Sequence, residues 1–118
     1  MKRLLFLLMP ALLLLACSEE VKTPPPPNVL AEGKMVEVLV DIQLIEGAYH
    51  KRIIKAENTR KAALDGYVQV FEKYDISQAQ FDSSYTWYLD APKRMDHLLE
   101  LVMNELSKMK AQKEAELD

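Results

Sequence analysis

The chain has 118 residues, with 15 Lys or Arg against 18 Asp or Glu and a formal charge of −3 at pH 7. That length suits one domain, and an acidic balance with no basic block argues against nucleic-acid binding. One cysteine rules out an intrachain disulfide and two histidines leave little for a metal site, so no cofactor and no metal are expected. Met1-Lys2-Arg3 is a short positive start, and an apolar run follows from Leu4 to Leu15. Twelve residues rise about 18 Å as a helix, against about 30 Å of hydrocarbon to be crossed. The run therefore reads as the core of a signal peptide over residues 1–16, and not as a transmembrane helix.

The run ends in Leu14-Leu15-Ala16-Cys17, which resembles the bacterial lipobox. Leu14, Leu15 and Ala16 would be read by the lipoprotein signal peptidase, and the Cys17 thiol would carry the lipid as a thioether. A cut after Ser18 by the ordinary peptidase, with Ala16 and Ser18 at its small-residue positions, is the alternative. Lipidation makes the membrane, through the lipid anchor at Cys17, the first expected partner. The expected address is the cell envelope, at the outer membrane. A periplasmic and a cell-surface face both stay open, because Ser18-Glu19-Glu20 only partly resembles the surface-export signal of Bacteroidota.

Residues 17–30 read as a spacer. Thr23-Pro24-Pro25-Pro26-Pro27-Asn28 favours polyproline II, and the stretch from Ser18 to Leu30 would reach about 40 Å when extended. Residues 31–118 contain three glycines and one further proline, which favours long helices. The reading is an all-α domain, a small bundle of three to four helices. The first helix is expected over Glu32 to Thr59, with Met35, Leu39, Ile42, Tyr49 and Ile53 in one stripe and Val38 and Ile45 beside it. Val36, Val38, Val40, Ile42 and Leu44 also alternate as a strand would, but Leu39 and Ile45 then fall on the wrong face. A break is expected near Glu57-Asn58-Thr59, where Asn58 or Thr59 could cap the next helix.

The second helix, about Arg60 to Tyr74, places Leu64, Tyr67, Val68, Phe71 and Tyr74 on its apolar face. Gly66 weakens it unless a neighbour packs close there. Ser77 with Gln80 reads as a capping box that starts a third helix bearing Phe81, Tyr85, Tyr88 and Leu89. Pro92 suits the first turn of a last helix, whose Met95, Leu99, Val102, Leu106 and Met109 form a heptad-like seam used for core packing. From Lys110 onward the apolar face is lost, and the chain frays or projects.

Several short motifs recur in a known order. Pro27-Asn28-Val29-Leu30, Lys34-Met35, Asp41-Ile42-Gln43-Leu44, Phe71-Glu72-Lys73-Tyr74, Phe81-Asp82-Ser83-Ser84, Tyr88 and Pro92 resemble a family of small Bacteroidota lipoproteins with a helical domain of unknown function. The resemblance implies an envelope address and a helical fold. The family often carries His where this chain has Gln43, so no metal role is carried over to that position. A looser likeness, to the helical arms of periplasmic parvulin-type chaperones, implies peptide binding.

Seven of the eight aromatic residues after Cys17 fall between Tyr67 and Tyr88. Most suit a core, whereas Trp87 does not share a face with Phe81, Tyr85 and Tyr88 and is the candidate for partner contact. Glu46, His50 and Asp41 lack the third imidazole or thiolate of a metal site. Asp82, Ser83, Ser84 and His97 lack a nucleophile elbow and an oxyanion turn, so no catalytic residue is assigned and no enzyme is expected. The expected function is noncatalytic: a lipid-anchored module that binds or assembles with an envelope protein. A chaperone-like module that grips extended peptides is the alternative.

Overall fold

A computed structural model describes residues 23–50 and 56–118, and the side chains of all of these except 56–59. The signal run, Leu14-Leu15-Ala16-Cys17 and Ile53 lie outside the described residues. The fold is all-α, as expected, with four helices and no strand among the described residues: α1 (Glu32–His50), α2 (Ala56–Lys73), α3 (Gln78–Leu89) and α4 (Pro92–Leu117). Ala56–Lys73 is one helix, so the break expected at 57–59 does not occur there, and Asn58 and Thr59 lie inside α2.

α1 is the central element. It packs on both α2 and α4, and α3 packs on α4. Met35, Leu39 and Ile42, with Val38 beside them, are buried as the expected stripe, and Val40, which lies outside that stripe, is buried as well. Val36 faces α4, where it shares a shallow depression with Leu101 and Asn104. Leu39, Ile42 and Glu46 face α2 instead. A helix sandwiched in this way is apolar on two sides, which is why Val36 to Leu44 also alternates like a strand.

The folded unit begins earlier than residue 31. Val29 N–H donates to the Pro26 carbonyl at 3.0 Å, closing a turn with Pro27 in its second position. The turn delivers Val29 and Leu30 into the core, where both are buried. Leu30 is then held at both backbone atoms by α3. Its N–H donates to Ser84 Oγ at 2.9 Å, and its carbonyl accepts from the Tyr88 hydroxyl at 2.9 Å. Ser84 and Tyr88 are one turn apart and fully or nearly fully buried, so the two hydroxyls satisfy backbone groups that water cannot reach. The spacer's last residues are thus part of the domain.

Helix ends follow local chemistry. α2 closes in a Schellman turn: Asp75 N–H donates to Glu72 C=O at 3.2 Å and Ile76 N–H to Phe71 C=O at 3.0 Å. Asp75 has φ 53°, a left-handed conformation that costs a side chain and suits glycine. Asp75→Gly should therefore stabilise the domain by about 0.5–1 kcal/mol, a rise of roughly 2–8 °C in thermal midpoint measured by circular dichroism. Ser77 caps α3 as expected, its Oγ accepting from Gln80 N–H at 3.0 Å with extended backbone at φ −85°, ψ 157°. Pro92 opens α4 in the first helical turn.

The seam on α4 differs from the expected one. Met95, Leu98 and Val102 are buried, while Leu99 is 45% exposed. α4 packs on both α1 and α3, so the side chain between the two neighbours is Leu98, and Leu99 is turned to the outside. Beyond Leu106 every residue is exposed, yet α4 continues to Leu117. This tail projects and does not fray. It is built of good helix formers, with ion pairs at helical spacing such as Lys110 to Glu114 at 3.9 Å.

Candidate functional site: an aromatic groove between three helices

α2 rests on α1 along Gly66 and Val70, both buried. A Cβ on Gly66 would lie 3.0 Å from Ile45 Cγ2, so glycine sits at the point of closest approach. This contact line is rotated away from the apolar face expected for the helix. Leu64 and Val68, expected in the core, are 55% and 53% exposed. The rotation opens a groove of about 380 Å³ between α1, α2 and α3. Buried Leu39 and Ile42 of α1 lie at its base, and Leu64, Val68 and Tyr85 stand at its lips. An aromatic row completes the wall: Phe71 and Phe81 have ring centroids 5.2 Å apart, and Phe81 and Tyr85 5.9 Å.

The polar groups of the groove are few. Gln43, Glu46, Gln78 and Asp82 line it beside the apolar residues, together with the Tyr67 hydroxyl. That hydroxyl donates to Glu46 Oε1 at 2.6 Å. The bond to the carboxylate, reinforced by burial and by the Glu46 charge, pushes the Tyr67 pKa up to about 12. Because this value lies above the unfolded value near 10, Tyr67 contributes stability that is complete below pH 10 and is lost as pH rises towards 12. An alkaline absorbance titration should show a tyrosine that ionises near pH 12 and is missing from Tyr67→Phe. That variant should also lose about 1 kcal/mol at neutral pH.

A second polar cluster pins the far end of α2. Asp41 Oδ2 accepts from Lys73 Nζ at 2.7 Å and from the Tyr74 hydroxyl at 2.9 Å. The Lys73 pKa is raised chiefly by its hydrogen bond to Asp41. Tyr74 is raised first by burial and then by its bond to the same carboxylate. Lys34 and Lys73 lie 5.1 and 5.0 Å from the centre of the Tyr74 ring. Asp41 and Glu46, weighed from the sequence beside His50 as metal donors, are thus hydrogen-bond acceptors for two tyrosines. Among the described residues no three His, Cys, Asp or Glu side chains gather in a way that could hold a metal ion.

The other residues singled out in the sequence are placed elsewhere. Trp87 is half-buried outside the groove, with the Arg94 guanidinium 3.5 Å above its ring and the Tyr88 ring edge-on at 4.9 Å. Arg94 Nη1 also donates to the Trp87 carbonyl, so the pair ties α3 to the first turn of α4. Ser84 Oγ donates to Gln80 C=O at 2.7 Å, which commits the only proton of that buried hydroxyl. His97 Nε2 lies 3.6 Å from Glu32 Oε2. Asp82, by contrast, is exposed at the groove.

The groove is not visible in the sequence because Tyr67, Phe71, Phe81 and Tyr85 also have the spacing of core residues. One signal pointed the other way. From Val70 through Tyr74, Tyr67, Phe71 and Leu64 to Val68, the apolar arc of α2 spans nearly half the helix, more than one neighbouring helix covers.

No helix among the described residues is long and apolar enough to cross a membrane. Neither a curated protein nor a solved structure matches the chain. A family model does match residues 26–112, a range that starts at the turn before Val29 and Leu30 and takes in all four helices except the end of α4. The chain belongs to the family described as a domain of unknown function, DUF4296.

Proposed function

We propose that this chain is a lipid-anchored envelope protein whose helical domain binds another envelope protein through the groove between α1, α2 and α3. The observation that carries the reading is the open aromatic wall of that groove, with Leu64 and Val68 more than half exposed beside it. Apolar side chains in that number stay in water at a cost unless something covers them. The sequence Leu14-Leu15-Ala16-Cys17 supports the anchor, and the proline run before Pro27 supports a domain held away from the membrane. The reading is noncatalytic. Ser84, Asp41 and Glu46, the most suggestive polar side chains, serve hydrogen bonds that hold the fold.

Capture of a C-terminally tagged protein from mildly crosslinked membranes tests this, with Cys17→Ala as the control. One dominant envelope partner, lost in the control, is the expected result. A broad spread of unfolded outer-membrane proteins would favour a chaperone-like module instead. Recovery of the same partner in the control would remove the role given to the lipid.

A further inference from the structure

The groove's charge and backbone chemistry narrow what can fill it, an inference that rests on the binding role proposed above. We infer that its occupant is a cationic amphipathic helix: apolar side chains on one face, flanked by lysine or arginine. Two observations lead there. Among the described residues the only charged side chains lining the groove are carboxylates, Glu46 and Asp82. A partner with cations beside its apolar anchors is therefore attracted, and an acidic one repelled.

The second observation is that the walls are helices, whose backbone groups, those of the first turn of α3 apart, are paired within each helix. An extended peptide would bring unpaired N–H and C=O groups into an apolar groove that offers no strand edge to meet them. A helix satisfies its own backbone and presents only side chains at i, i+3, i+4 and i+7. A groove of about 380 Å³ suits a few such anchors, not a whole domain. The exposed Leu99 and Met103 on α4 lie outside the groove, so they serve as an internal control.

The purified full chain can be titrated with a labelled sixteen-residue helical peptide that has leucines at i, i+3, i+4 and i+7 and lysines elsewhere. A second peptide replaces every lysine with glutamate. By fluorescence anisotropy the lysine peptide should bind at least about tenfold more tightly than the glutamate peptide. Leu64→Gln with Val68→Gln should abolish that binding, Asp82→Asn should weaken it about threefold to fivefold, and Met103→Gln should leave it unchanged. Circular dichroism of each variant separates lost binding from lost folding, and the affected side chains are exposed.

Equal binding of both peptides would overturn the inference, as would no binding of either. Loss in Met103→Gln with retention in the double variant would overturn it too. A partner captured from membranes and crosslinked at the groove, with neither peptide bound, would leave the binding role standing while this assignment fails, so the two outcomes are distinguishable.

Discussion

Tyr88→Ala should leave little folded protein at room temperature. The ring is buried, and removing it costs about 3–5 kcal/mol in transfer and cavity terms. The same change strips the Leu30 carbonyl of its hydrogen-bond donor 58 residues away. A small domain with a single cysteine, and so no intrachain disulfide, belongs near the low end of the usual range of about 5–15 kcal/mol. The ring and carbonyl losses together, about 4–8 kcal/mol, consume most of that margin. Tyr88→Phe separates the two contributions. It keeps the ring and removes only the hydroxyl, leaving a buried carbonyl unpartnered at a cost of about 1–3 kcal/mol. Urea denaturation followed by circular dichroism should rank wild type, Tyr88→Phe and Tyr88→Ala in that order. The loss in Tyr88→Phe should also appear as faster amide exchange at Leu30, because its neighbouring clasp has opened.

Leu98→Ala and Leu99→Ala, adjacent substitutions of the same chemistry, should differ by about 2 kcal/mol or more. Leu98 has no exposed surface and lies in the cluster with Met35, Val38 and Tyr88. Its truncation leaves a cavity and costs about 2–5 kcal/mol. Leu99 is nearly half exposed, and its truncation removes far less contact with the core. A heptad seam through Leu99 would require the opposite ranking, so thermal or urea unfolding of the two variants separates the two registers directly.

The residues that could be placed from sequence are those whose signals are local. Ser77 caps α3, Pro92 opens α4 and the apolar spacing marks the helices, because each of these depends on neighbours within a turn or two. What sequence left hidden depends on packing between distant segments. Nothing near Val29 and Leu30 shows that a serine and a tyrosine some 54 and 58 residues away will hold Leu30. Gly66 looks like a weak point in a helix until Ile45 is seen against it. That contact turns α2 so that Val70 is buried while Leu64 and Val68 face outward, and this rotation makes the groove.

The same logic applies to Trp87. By spacing it is the aromatic residue that does not share the core face of its helix, which makes it a contact candidate. The guanidinium of Arg94 covers one face of its ring instead, a pairing set by the turn at Asp90 and Ala91. Phe81 and Tyr85, on the other side of α3, line the groove, while Trp87 is half-buried outside it.

Site-directed photocrosslinking in intact membranes tests the binding role of the groove most directly. A photoreactive amino acid at position 68, at the groove's lip, should give one discrete higher-mass product, and the same group at position 103 on α4 should give none. A discrete product from position 103 with nothing from position 68 would contradict the account and move the interaction surface to the outer face of α4.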